Sequence, residues 1–599
     1  MAFRRSTVRS RSAPPILIGL ALAVAATRFL ALSHSIWDWD EALFCLGLRH
    51  YDVSLHHPHP PGFPLFIALG KIARLFLHDE FRALRDVNLL FALCVFPAMY
   101  ALGRALRFDA LTSAIAALLF ASMPNVWFYG GTSLSDIGGV VTILAGAAAL
   151  LYGRGSDRAW CAGSILLGLS LAFRPQNALL ALYPWCAAAW PRLRARRFAN
   201  VIAGIACTIA IVAVFYGGAI AATGWYDYRD ALRAHSDYLL RVDSYRNPGR
   251  QPVPSLLYPM LVNPYDAGKI AVAIGALALI GLLRARRPAL EAVAMFAPFA
   301  IFMLALLDPN SISRYSIAYV PLLALLAAEG IRVVASIARR PAFGVALRCA
   351  AAAVLLAALI RFTAPALRGA RKHDAPPVEA VRWIRKNLDP RATRLYVHGS
   401  MKPFVECLLS DRTWIDVGDR FSGLDLEDSR DAWLLREGPA TAPDAHQFER
   451  PHDHLWNIAR RRYFEVSVEP LAELPRFGDG WHDPEGEGSD VYRWMKPDAA
   501  VELPPVTGRA ELSVEWEVPL AAEPRPPIVT FTLNGQPLDR VTCTAPAMRR
   551  KWIIDGAPRR PNTLRINVDE FVNPAKMHRG GDTRDLALRL NHLFWKPLP

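Results

Sequence analysis

The chain has 599 residues, 53% of them hydrophobic, and a formal charge of +15. That apolar share is high for a soluble globular protein, and the two figures together fit a polytopic membrane protein with basic cytoplasmic loops. The positive charge therefore calls for no nucleic acid, and no RNA- or DNA-binding motif stands out.

Of the eight Cys, Cys94, Cys161, Cys186, Cys207 and Cys349 lie in apolar stretches and read as small hydrophobes. Cys45, Cys407 and Cys543 fall outside them, and no spacing marks a disulfide framework or a zinc site.

The N-terminus carries Arg4, Arg5, Arg9 and Arg11 ahead of an apolar run, Ile16–Leu32. The run is long for a signal-peptide core and no small-residue cleavage site follows. It reads as an uncleaved first span with its Arg-rich end inside. Further apolar runs recur at 87–106, 110–128, 134–152, 160–173, 177–190, 199–222, 267–283, 289–307, 315–338 and 343–363. With the first they predict about eleven transmembrane helices, several short against the roughly 20 residues a crossing needs.

One more apolar run, 61–78, decides the topology. Lys71, Arg74 and His78 share one helical face there, and burying two such cations at mid-membrane costs roughly 5–7 kcal/mol. A helix lying in the interface avoids that cost. If 61–78 does not span, Arg104/Arg107, Arg154/Arg158, Arg192–Arg197, Arg284–Arg287 and Arg332/Arg339/Arg340 all fall inside with the N-terminus, as the positive-inside rule requires. The outer face then holds loop 34–86, the turn Ser133–Asp136, loop 223–266, the turn Asp308–Arg314 and everything after about Thr363.

Beyond Arg371 the long apolar runs stop. Val378, Val381, Ile384 and Leu388 predict an amphipathic helix, Arg394–Val397 a strand and Lys402–Leu409 a helix, hence a small extracytoplasmic α/β domain over 370–475. From 477 to 599 alternating apolar residues and Asn534-Gly535, a hairpin-turn signal, predict a β-sandwich. The transmembrane domain is 1–365.

The stretch Ile36–Pro64 concentrates Asp38, Asp40 and Glu41 with His50, His56, His57 and His59. Charge kept beside hydrocarbon marks a functional site. Trp39-Asp40-Glu41 after the first span, then His57-Pro58-His59-Pro60-Pro61 opening an in-plane helix, resemble the first outer loop of the C-type (GT-C) glycosyltransferases. The match is to the branch of protein O-mannosyltransferases and lipid A aminoarabinose transferases. Ser135-Asp136, and Arg314-Tyr315 followed by Pro321, extend the likeness across residues 15–365.

The resemblance implies a sugar donor carried on a polyprenyl phosphate, inverting chemistry, and an extracytoplasmic glycan, lipid or protein acceptor. The acceptor hydroxyl needs a base, the sugar passes through a cation-like transition state, and the departing phosphate needs a cation.

Asp40 matches the family's first-loop acid and is the expected general base; the competing reading makes it the N-cap of helix 41–50. Glu41 and Asp38 support Asp40 or face water. Asp136 matches the second acid, competing with an N-cap role. His57 and His59 stand where the family reaches the donor phosphate, but with His in place of Lys a permanent cation is not guaranteed.

In loop 223–266, Trp225, Tyr226, Tyr228, His235, Asp237, Tyr238, Arg241, Tyr245 and Arg246 suit sugar stacking and phosphate clamping, or an interfacial aromatic belt. Arg241 and His235 are candidate phosphate ligands there. Arg314, with Tyr315, is the stronger one, against a reading in which it snorkels to water. Asp136 and the nearby histidines and acids also offer ligands for a divalent ion such as zinc, but no fixed metal spacing appears, and the sequence makes no cofactor certain.

Gly480–Met495 and Arg579–Trp595 resemble a carbohydrate-associated sandwich module. Trp481, Tyr492 and Trp494 there either stack on sugars or fill the core.

Two other classes fit the composition: a glycan-binding membrane transporter or flippase, and a ligase that transfers a whole oligosaccharide. Transporters place charges at the midplane in repeated halves. Here the charges gather at one face and no repeat is visible. Arg-rich usage suggests the inner membrane of a GC-rich bacterium, with the C-terminal region on the periplasmic side. A phosphatase reporter fused after Pro599 is expected to be active only as an exported domain; activity of a cytoplasm-dependent reporter there overturns the loop assignment.

Overall fold

The computed structural model describes residues 13–152, 156–284, 286–306, 311–418, 432–440, 445–459, 465–471, 475–486, 491–506, 508–519, 525–555, 560–578 and 580–598. The N-terminal arginines, Arg154, Asp308 of the expected outer turn, 487–490 of the Gly480–Met495 run and Arg579 lie outside the described residues. The chain divides into two compact units, 1–379 with 449–464, and 380–448 with 465–599.

The first unit is helical. Four helices are long and apolar enough to cross a membrane: Glu80–Ala105, Phe198–Thr223, Arg287–Leu306 and Pro341–Asn387. A fifth is counted if Ile312–Ala318 and Val320–Ala335, bent by 69°, form one broken span. The expected number of about eleven is not reached by this measure. Runs 16–33, 110–128, 134–152 and 267–283 form helices of 17, 13, 17 and 15 residues. At 1.5 Å per residue these measure about 20–26 Å, short of a hydrocarbon core of about 30 Å.

The run at 61–78 forms only Pro64–Arg74, 11 residues, about 17 Å long and too short to cross. Its cations have local partners. Lys71 lies over the Tyr51 ring at 5.6 Å, and Arg74 meets Glu80 at 3.2 Å.

Asp136–Tyr152 is buried along nearly its whole length. Gly138, Gly139 and Gly146 let neighbours close on it: a methyl group on Gly138 would strike the Phe173 ring. The site described below forms at the N-terminal end of this helix. Elsewhere Lys269–Leu283 and Val320–Ala335 approach through Gly281 and Gly330, where an added Cβ would collide with the carbonyl oxygens of Leu326 and Leu277. Small residues let membrane helices meet backbone to backbone.

The segment 449–464 belongs to the helical unit, inside the stretch expected as one α/β domain. Two hydroxyls hold its helix His454–Ala459: Tyr129 donates to the Ala459 carbonyl at 3.1 Å, and Ser313 donates to that of Ile458. His454 stacks on Phe362 at 4.5 Å.

The second unit contains a five-stranded mixed sheet in the order Ile415–Asp416, Arg394–Val397, Ala432–Glu437, Glu465–Pro470, His446–Glu449. Two further five-stranded sheets follow. One runs Ala547–Asp555, Arg509–Glu517, Leu588–Pro597, Tyr492–Met495, Trp481–Glu485, and the other Gln536–Thr542, Ile528–Leu533, Asn562–Val568, Asp498–Leu503, Arg476–Phe477. Leu512, Val514, Trp516, Phe531, Leu564, Ile566 and Leu590 share one core between these two sheets. Asn534 and Gly535 turn the predicted hairpin with φ of 52° and 79°, the left-handed values such a two-residue turn needs.

Trp481 packs against the core, its indole bonded to the Ala500 carbonyl. The Arg589 guanidinium covers the Tyr492 ring at 3.7 Å. No disulfide joins any of the eight cysteines among the described residues.

Gly330→Ala is expected to destabilise the helical unit by about 1–3 kcal/mol, the usual cost of overpacking, seen as a lower melting temperature. Ala at exposed Gly217, whose Cβ would meet nothing within 4 Å, serves as the control.

Candidate active site

Helix Trp39–Arg49 begins at Asp38, whose side chain accepts from the Asp40 amide at 2.9 Å. Asp38 is therefore the N-cap, and the expectation that Asp40 competes for that role is corrected. Two residues further on, the Asp40 side chain is released for other contacts. It is 16% exposed, the most open of the three aspartates that meet here.

Those aspartates converge on one cation. Arg314, on the short helix Ile312–Tyr315 of the bent pair, is 1% exposed. Its Nη1 binds Asp40 Oδ2 and lies 3.7 Å from Asp38 Oδ2, while its Nε donates to Asp136 Oδ2 at 3.0 Å. This rules out the snorkelling reading, because the guanidinium is enclosed.

Asp136 also accepts from Arg174 Nη2 at 2.7 Å. Arg174 in turn donates to Ser135 Oγ at 3.1 Å and lies 5.2 Å over the Phe63 ring. Three carboxylates thus face two guanidinium groups. Asp136, Arg174, Arg314 and Tyr315 line a cavity of about 10 Å³, room for about one water.

Histidines approach Asp40 from the other side. His59 Nδ1 lies 3.6 Å from Asp40 Oδ1. Its ring sits between Phe44 at 6.0 Å and Phe63 at 4.9 Å, with the His235 ring at 6.1 Å. Burial pushes the His59 imidazole down to about 4, against the opposing pull of Asp40, and burial also lowers His235. Both are neutral near pH 7, so the cation expected here at the donor phosphate is not supplied by His59.

Three expected residues stand apart. Glu41 is fully buried and accepts from Trp37 N at 3.0 Å, Ser133 N at 2.8 Å and Ser133 Oγ at 2.6 Å. It joins the first loop to the Thr132–Ser133 turn and does not meet Arg314 among the described contacts. His57 forms a backbone bridge with Asp52, N–H to carbonyl both ways at 2.8 Å. Arg241 is exposed, its Nε bonded to the Asp237 carbonyl at 3.3 Å. No bond from it to the aspartate cluster occurs among the described residues.

Sequence reasoning missed Arg174. The available signal was an arginine before Pro175 at the outer end of run 160–173, a charge the positive-inside rule does not explain. Among the described residues no group of three His, Cys, Asp or Glu is arranged to hold a metal ion. The three aspartates are engaged by Arg314 and Arg174, so this donor set does not fit a divalent ion.

No protein family and no curated protein matches the sequence. Several solved structures resemble it at low scores. The oligosaccharyltransferase of Archaeoglobus fulgidus matches at a TM-score of 0.46 and 13% identity, over 71% of this chain and 69% of its own. ArnT from Cupriavidus metallidurans, bound to undecaprenyl phosphate, matches at 0.45 and 13%, over 76% and 97%. Arabinofuranosyltransferase AftD from Mycobacteria matches at 0.43 and 13%, over 98% of this chain and 59% of its own. The functional reading below rests on the residues themselves.

Desolvation raises the Glu41 carboxyl from 4.5 to about 7, against the hydrogen bonds from Ser133. A folded value above the unfolded one gives stability that is full below about 4.5 and is lost as pH rises through about 7. Melting temperature is therefore expected to fall between pH 5 and pH 8 in the wild type, and to fall less in Glu41→Gln. An equal slope in both removes Glu41 as its source.

Proposed function

We propose that this chain is an inverting glycosyltransferase that moves one sugar from a polyprenyl-phosphate donor to an extracytoplasmic glycan, lipid or protein. We assign the transfer to a helical domain over 1–365 set in a bacterial inner membrane, followed by an α/β domain over 370–475 and a β-sandwich over 477–599 on its periplasmic side. The observation that carries the reading is the Asp40 carboxylate. It is partly open, held by a buried arginine from a distant helix, and flanked by neutral histidines.

Asp40 takes the proton of the acceptor hydroxyl as its oxygen attacks the sugar. Protonation weakens its hold on Arg314 Nη1. The guanidinium charge then turns to the phosphate that leaves with the bonding electron pair, which is where an electrostatic clamp is needed. Arg174 keeps Asp136 in place, and Asp136 keeps Arg314 Nε. Base and leaving-group clamp thus act through one ion pair.

The test is release of polyprenyl phosphate from a polyprenyl-phosphate monosaccharide by the purified chain in lipid nanodiscs. Asp40→Asn keeps the shape and removes the base, so turnover is expected to fall by about 10²–10⁴; because it also takes a carboxylate from the buried Arg314, the melting temperature is expected to drop as well, and turnover is compared at a temperature where the variant is still folded. Near-normal turnover in Asp40→Asn removes the base assignment. Arg314→Lys cannot bond Asp40 and Asp136 together as the planar fork does, and turnover at saturating donor is expected to drop clearly; full activity in Lys removes the coupling.

A further inference from the structure

Asp40 gains one proton per transfer and must lose it before the next. It sits in a largely enclosed place, so the route of that proton is a structural question. On its Arg314 side the carboxylate faces a cation that neither gives nor takes a proton near neutral pH. On the other side it faces His59, whose Nδ1 is buried and has no hydrogen-bond partner among the described residues. The 3.6 Å gap to Asp40 Oδ1 is wider than a hydrogen bond, and closes with a small shift of either side chain or through one water. Next to His59 stands His235, and next to His235 the exposed His56, which acts on it electrostatically.

We infer that His59 and His235 form a proton exit that carries the proton of each transfer from Asp40 toward water. This rests on the reading of Asp40 as the base. The acceptor O–H breaks and its proton passes to Asp40. The acceptor oxygen bonds the sugar carbon while the bond to the lipid phosphate breaks, its electron pair leaving on the phosphate. Asp40 then gives the proton to His59 Nδ1, and the proton on His59 Nε2 passes to His235 and on to solvent. The imidazole regains its starting tautomer by exchange with water. Asp40 is again a carboxylate and again pairs with Arg314, which releases the product phosphate.

The charged groups around His59 suit this task. Asp40 favours its protonated form, while burial and Arg314, His235 and Arg174 oppose it. Phe44 and Phe63 hold the ring at its edges and face.

The experiment measures polyprenyl phosphate release by the full chain in nanodiscs, for wild type, His59→Ala, His59→Gln and His235→Gln, with and without added imidazole. Melting temperature reports folding. Expected are a kcat lower by about tenfold or more in the His59 variants, an unchanged donor KM, and recovery of His59→Ala on adding imidazole. His235→Gln is expected to slow turnover less and to shift the pH profile. Wild-type turnover in folded His59→Gln overturns the relay and leaves the base reading intact. So does a raised donor KM with intact kcat, which makes His59 a donor ligand, or a loss that imidazole does not rescue. No release by the wild type overturns both.

Discussion

The buried guanidinium of Arg314 is the constraint on which one end of the helical unit depends. A charge at 1% exposure is tolerable only with partners, and its partners come from far apart in sequence: Asp38 and Asp40 at the start of the helix Trp39–Arg49, Asp136 at the start of the central helix. Each would be costly to bury alone. Together they fix the first loop, the helix Asp136–Tyr152 and the bent pair around Tyr319 relative to one another, and Arg174 brings in a fourth element. The same ion pairs that make the fold coherent also set which carboxylate stays accessible.

Much of this was legible before any coordinates. Acids and histidines crowded beside an apolar span, and an Arg-Tyr pair opening another, mark a site because hydrocarbon penalises idle charge. Asp40, Asp136, His59, His235 and Arg314 do converge. The exchange between Asp38 and Asp40 was not legible, because cap identity turns on where the helix starts, here a matter of two residues. Glu41 looked like a third site acid from its position alone. Only packing reveals that Ser133 and Trp37 enclose it.

Arg241 failed for a different reason. The α-helix Trp225–Tyr238 that carries His235 gives way to a π-helical turn, Leu239–Asp243, which leaves Arg241 exposed. The run of aromatics and arginines obscured that turn. The count of about eleven spans is not confirmed, and apolar stretches do not record breaks. The helix interruption at Cys94 and the bend of 69° before Val320 both fall inside apolar runs whose periodicity does not show them. Arg174 was hidden by the opposite fault, a lone charge at the end of a run read as punctuation.

The helix His454–Ala459 has a consequence for how the protein is made. Spans enter a membrane in order as the ribosome supplies them, so Tyr129 and Ser313 are in place long before residues 458 and 459 exist. Until then their hydroxyls lack the carbonyls they bond in the finished molecule. Ser313 is the residue before Arg314. The arginine's neighbourhood is therefore completed late, after the last helix of the membrane part has been synthesised, and a nascent chain carries its spans without a settled site.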